Sequence, residues 1–209
     1  MSTSSKRKVH LFVFNGMSDW EVGHLAAGIN NPAFQAAPGS LAIRTVGPTD
    51  QPIRTMGGLR VLPDTTLAAL KPAASAMLVL PGGTAWDQRK NKAAAAMAAR
   101  FIEQEVPVAA ICGATAGLAR AGLLDDVEHT SNAREYLQQT DYAGGAHYHD
   151  EPAFTAGKLI TASGVHPLEF ARHVFALLHV YPPRVLAAWY QLYKTGDAKY
   201  YAALIKAAG

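Results

Sequence analysis

The sequence predicts an α/β domain with a mainly parallel sheet covered on both faces, and three observations predict it. Short apolar runs bounded by Gly or Pro recur along the chain, as strands buried on both faces require. Stretches with helical apolar spacing lie between those runs. Hydrophobic residues make up 49% of the 209 residues and charged residues 17%. That composition belongs to a packed chain rather than a disordered one, and the length suits one domain.

Strands are expected at residues 9–14, 41–46, 77–80, 106–111 and 159–162. Helices are expected at 18–29, 86–105, 113–121 and 167–180. Pro167 suits a first helical position, where its missing N–H would have no partner. Residues 54–67 alternate weakly around Met56-Gly57-Gly58-Leu59 and read as a small hairpin extension. Residues 141–157 read as irregular. Residues 182–208 carry Trp189, Tyr190, Tyr193, Tyr200 and Tyr201. They read as one or two amphipathic helices interrupted at Gly196-Asp197. The expected organisation is therefore a mobile tail over 1–8, the α/β domain over 9–180, and a helical extension over 181–209. That extension would pack on its own domain or on a second copy.

Several function classes drop out. The net charge of +3 owes much to Lys6, Arg7 and Lys8 at the terminus, which is no nucleic-acid face. No apolar run approaches about 18 residues, so no membrane span is expected. The apolar run at 9–14 ends at Asn15-Gly16 and is too short for a signal-peptide core. The one cysteine, Cys112, excludes a disulfide within the chain and points to a reducing, cytoplasmic setting. No Gly-x-Gly-x-x-Gly turn follows the first strand, so no dinucleotide cofactor is expected. His147 and His149 lack a third ligand at suggestive spacing, so no metal is expected either.

Open α/β sheets bind ligands beyond the carboxyl ends of their strands, and three features fall there. The first is Cys112. A lone cysteine on an apolar strand is often only a small buried hydrophobe. Here, however, Ala110-Ile111-Cys112-Gly113-Ala114 joins strand directly to helix with small residues on both sides of the sulfur. That is the pattern of a nucleophile elbow written with Cys. A sulfur at a helix N-terminus is expected to have a lowered pKa. The second feature is Gly82-Gly83. It is a tight turn at least, and with Cys112 nearby the N–H groups of Gly83 and Gly113 would form an oxyanion hole. The third is Glu21. In Ser18-Asp19-Trp20-Glu21 it fits a capping box, bonding back to Ser18. It equally fits a carboxyl group that reaches the sulfur from a neighbouring strand end.

These segments together resemble the DJ-1/PfpI superfamily, which has the class I glutamine amidotransferase-like fold. The resemblance covers about residues 9–180. It rests on Asp19-Trp20-Glu21, Leu80-Pro81-Gly82-Gly83, Ala110-Ile111-Cys112-Gly113-Ala114, Ala121-Gly122-Leu123-Leu124-Asp125, and Leu159-Ile160-Thr161-Ala162-Ser163-Gly164 with Leu168-Glu169-Phe170-Ala171. It implies a flavodoxin-like three-layer sandwich, a homodimer, and a reactive Cys112 paired with Glu21. Members include peptidases or amidases, glyoxalase- or deglycase-like enzymes, isonitrile hydratases, chaperones and oxidative-stress proteins. Two positions depart from the pattern. PfpI-type peptidases carry His directly after the cysteine, where this chain has Gly113. Many members carry a downstream His where this chain has Asn132; His129 lies three residues earlier, an odd-numbered shift that turns a strand residue to the other sheet face.

The remaining candidates are peripheral. His166 precedes Pro167 in a loop that in the family approaches the nucleophile, and it is expected to line the pocket with Gly82, Trp86 and Asn132. His24 shares a helical face with Glu21. His149-Asp150-Glu151 spells the His-x-Glu of glutaminase triads, although before the last strand rather than after it. The first functional reading is a cysteine-dependent hydrolase, amidase or glyoxalase-like enzyme acting on a small carbonyl or amide substrate. A redox-sensing, stress-response or chaperone-like protein using the same cysteine is the alternative. A glutaminase-type amidotransferase is the weaker one.

Overall fold

A computed structural model describes residues 6–208. Nine strands form: β1 (Arg7–Phe12), β2 (Leu41–Gly47), β3 (Ile53–Arg54), β4 (Arg60–Val61), β5 (Thr65–Thr66), β6 (Ser75–Leu80), β7 (Val108–Ile111), β8 (Ala153–Ala156) and β9 (Leu159–Ala162). Among the described residues seven α-helices accompany them: α1 (Gly23–Asn30), α2 (Lys92–Glu103), α3 (Gly113–Arg120), α4 (Arg134–Gln138), α5 (Pro167–Leu177), α6 (Pro183–Thr195) and α7 (Lys199–Ala208).

Seven strands make one sheet in the order β5-β2-β1-β6-β7-β9-β8. All neighbours are parallel except β8 and β9. The chain runs outward from β1 to β2 and later returns to β6 on the other side of β1. Strand order therefore reverses between β1 and β6, the place where α/β sheets open a crevice. The architecture is the flavodoxin-like α/β sandwich that the sequence predicts. β3 and β4 pair as a separate antiparallel hairpin. The central strands read as continuous apolar runs because both faces are covered: Met77 to Leu80 and Val108 to Ile111 have no exposed surface. Phe12, Phe101, Phe170 and Phe175 are the largest fully buried side chains.

Four departures from expectation have a local reason. β1 begins at Arg7, which pairs with Leu41, so the last residues of the expected tail are sheet; residues 1–5 of that tail lie outside the described residues. The helix expected from residue 18 opens as a 3-10 turn, Asp19–Val22, and becomes α-helical only at Gly23. Val22, with φ −114 and ψ 2, stands between the two. The helix expected from Trp86 starts at Lys92 instead. Arg89 takes a left-handed φ of 57, and the Trp86 indole N–H is tied back to the Pro81 carbonyl at 2.8 Å. Finally, the stretch read as irregular contains β8, paired to β9 through a two-residue connection.

The C-terminal helices lie against the same domain. Val185, Leu186 and Trp189 of α6 are buried. Trp189 meets Phe175 at 5.1 Å and stacks on Tyr181 at 6.2 Å between centroids. α7 buries Leu204 and exposes Tyr201 and Ile205. Among the described residues, no helix is long and apolar enough to cross a membrane.

Candidate active site

Cys112 occupies the turn from β7 into α3 with φ 58 and ψ −127. A non-glycine residue held there stores about 1–3 kcal/mol of backbone strain, and its surroundings hold it from three sides. The Cys112 N–H donates to the Ala162 carbonyl at 2.9 Å. Its own carbonyl accepts from the Thr115 N–H at 3.0 Å and from the Thr115 hydroxyl at 2.6 Å. Thr115 Oγ1 in turn lies 2.6 Å from Ser131 Oγ. Ala110 and Ala114, either side of the turn, have no exposed surface, so the turn admits only small residues there. This is an elbow geometry, and it leaves Cys112 half-buried rather than sealed.

Glu21 reaches the same place from the end of β1. The capping-box bond does not form: no side chain caps the turn, and the Ser18 N–H donates to the Gly82 carbonyl at 3.0 Å. The carboxylate instead accepts the Gly82 N–H at 2.6 Å through Oε2. Oε1 is buried without an aligned hydrogen-bond partner. It stands beside the sulfur: a β-carbon on Gly82 would lie 2.8 Å from both Glu21 Oε1 and Cys112 Sγ. A β-carbon on Gly164 would lie 2.7 Å from the sulfur and 3.2 Å from Oε1. Two glycines, from the ends of β6 and β9, thus bracket the pair, and neither position has room for a side chain.

The electrostatics follow from burial. Glu21 has no exposed surface, and desolvation pushes its pKa up to about 7. The Gly82 N–H, the thiol and the Ser18 hydroxyl pull the other way, less strongly. The lowered thiol pKa expected from the helix N-terminus is not what this environment produces. Burial and then the negative charge of Glu21 push Cys112 up to about 11, while the Asn132 amide and the Gly113 N–H counteract. Between about pH 7 and about 11 the two groups therefore share one proton. Donors on the sulfur favour placing it on the carboxyl, and the Gly82 N–H favours placing it on the thiol.

Asn132 completes the ring around the sulfur. Its Oδ1 accepts the Gly164 N–H at 2.8 Å, which turns Nδ2 toward Cys112 Sγ at 3.4 Å. An amide so oriented donates to the sulfur and takes no proton from it. The Gly113 N–H, at the start of α3, favours the thiolate. Among the described residues no backbone acceptor engages the Gly83 N–H.

The other candidate residues make contacts of their own. Trp86 is core rather than open wall: it is 2% exposed, packs edge-on against Phe12 and Phe14, and lies against Gly117 of α3. His166 occupies the N-cap position of α5 with its Nδ1 buried and unpartnered; no hydrogen bond joins it to the sulfur. His129 is buried between the Val127 carbonyl and the Tyr142 hydroxyl. His147 and His149 both pair with Glu128, and His149 stacks on Phe154, which commits it away from a triad. His24 packs against Trp189 and Tyr193. Among the described residues no cluster of His, Cys, Asp or Glu could hold a metal ion.

Sequence reasoning missed Gly164, Thr115, Ser131 and Tyr136. The Tyr136 phenol donates to Asp87 at 2.7 Å. Burial and that Asp87 contact raise its pKa.

Fold and site together define an α/β protein with a cysteine elbow facing a buried carboxyl group. The profile of the DJ-1/PfpI family matches residues 7–177, and the chain belongs to that family. It is 39% identical over 198 residues to the "Uncharacterized protease YoaZ" of Bacillus subtilis, covering 93% of this chain and 94% of the relative. A thiJ/pfpI family protein from Bacillus anthracis superposes with a TM-score of 0.89 at 38% identity, covering 97% of each chain. The DJ-1 superfamily protein Atu0886 from Agrobacterium tumefaciens superposes with a TM-score of 0.81 at 32% identity, covering 91% of this chain and 98% of the other.

Proposed function

We propose that the chain is a hydrolase that uses Cys112 as nucleophile on a small amide or similarly electrophilic carbonyl substrate. The observation that carries this reading is the Cys112–Glu21 pair, one sulfur and one buried carboxyl oxygen facing the same 2.8 Å point. The protease name of the Bacillus subtilis relative supports a hydrolytic reaction. The thiol proton passes to Glu21 Oε1 and the sulfur attacks the carbonyl carbon. The N–H groups of Gly83 and Gly113 receive the developing oxyanion. Collapse expels the amine, which takes the proton from Glu21. Water, deprotonated by Glu21, then cleaves the thioester and returns the proton to the sulfur. Asn132 holds the thiolate by donation and orients substrate. Gly82 and His166 border the cleft, and two copies of the chain associate as a homodimer.

The test is turnover by purified protein of a panel of fluorogenic amides, short peptides and small aldehydes, against Cys112→Ala. Cysteine-dependent hydrolysis of an amide or peptide is expected. Turnover of none, with peroxide converting Cys112 to its sulfinic acid, overturns the hydrolase and assigns the sulfur to redox sensing.

A further inference from the structure

A cavity of about 420 Å³ lies between α2 and α3, and its lining includes neither Cys112 nor Glu21. Its size falls within the range of small-molecule sites. Its apolar lining includes Trp86, Ala95, Ala99 and Gly117. Its polar lining is Arg89, Asn91, Lys92 and Arg120, and no carboxylate lines it.

Three observations say what these donors lack. Asn91 is only 6% exposed, and its Nδ2 is buried without an acceptor. Arg120 is held by Nη1 on the Trp86 carbonyl at 3.1 Å, which leaves its buried Nε also without an acceptor. A buried donor left unpaired costs about 1–3 kcal/mol, so two in one wall call for an acceptor. The third observation concerns α2. Asn91 occupies the N-cap position but makes no side-chain capping bond, and no acidic residue lies in the first turn, where Lys92 stands instead. The positive end of this helix is therefore uncompensated from within the chain.

We propose that this cavity binds a small monocarboxylate with a compact apolar body. The carboxylate would accept from Arg120 Nε and the Asn91 amide near the α2 N-terminus, while the body lies along the alanines of α2. The apolar lining separates this ligand class from inorganic anions, and the donors separate it from neutral apolar molecules. The inference does not depend on the reading of the Cys112 site.

Isothermal titration of the full chain with benzoate tests it, with benzyl alcohol as the neutral comparator and inorganic phosphate as the anion without an apolar body. Saturable benzoate binding is expected, with both comparators weaker by about tenfold or more. Arg120→Leu is expected to weaken benzoate by about tenfold. Should that variant fail to fold, the exposed double variant Arg89→Gln, Lys92→Gln decides, with a several-fold loss expected. The proposal is overturned by no saturation up to about 10 mM, by benzyl alcohol or phosphate binding as well as benzoate, or by unchanged affinity in a folded variant.

Discussion

Glu21 Oε1 and Cys112 Sγ lie equally far, 2.8 Å, from the point where a β-carbon on Gly82 would stand. The two residues leave the ends of β1 and β7, and β6 runs between those strands. They meet across it only because the residue at its end has no side chain.

Gly82→Ala and Gly164→Ala each drive a methyl group into this contact. We expect each to lose most Cys112-dependent turnover and to destabilise the fold by about 1–3 kcal/mol. Denaturant melts and rates of the two variants check this. Retained turnover in either would mean the sulfur and carboxyl need not approach.

Glu21 also gives stability a pH dependence of definite sign. Its folded pKa, about 7, is above its ordinary 4.5. The stability it contributes is fully present below about 4.5 and is lost as pH rises through about 7. Wild type should therefore lose on the order of 3 kcal/mol relative to Glu21→Gln across that interval. Parallel melts at pH 4.5 and 8 read the difference, and parallel curves would remove the buried carboxyl's cost.

Glu21→Gln should move alkylation and turnover in opposite directions. Removing the negative charge lowers the Cys112 pKa from about 11, so more of the sulfur is thiolate at pH 8 and iodoacetamide reacts faster, by roughly tenfold. Turnover falls, because the proton acceptor is gone. Slower alkylation would instead make Glu21 a proton donor to a resting thiolate.

Asn132→Asp keeps an acceptor for the Gly164 N–H and replaces the donor on the sulfur by a charge. We expect a higher thiol pKa, read from the pH dependence of alkylation, and a loss of about 10²-fold in turnover. An unchanged profile would detach Asn132 from the sulfur.

The proposed homodimer is checked by sedimentation velocity at micromolar concentration. Trp20 is 52% exposed and Leu62 68% exposed, large apolar surface of the kind subunit contacts cover. A single monomer boundary would reject the dimer.

Much of the fold was legible because buried parallel strands write themselves as uninterrupted apolar runs. Cys112 was legible because an elbow demands small neighbours, and Ala110, Gly113 and Ala114 are in plain view. β8 was not, since Ala153-Phe154-Thr155-Ala156 at a sheet edge carries neither an apolar run nor strict alternation. Glu21 stayed ambiguous because its spacing from Ser18 satisfies a capping box whether or not the bond forms. Only the Gly82 N–H, 61 residues away in sequence, decides it. Gly164 and Ser131 act through contacts that no local pattern records. The sign of the thiol's displacement depends on burial and a neighbouring charge, which spacing does not measure.

The hairpin of β3 and β4 is moored to the turn that carries Glu21: Asp19 Oδ2 accepts from the Thr55 hydroxyl at 2.6 Å and from the Gly57 N–H at 3.1 Å. Asp19 and Glu21 sit two residues apart in one 3-10 turn. Tugging on that peripheral ribbon, whether by mutation or by a visiting molecule, would pull on the carboxyl through a single short lever. The placement of Glu21 can therefore be retuned from a segment outside the strand ends that carry the carboxyl and the sulfur.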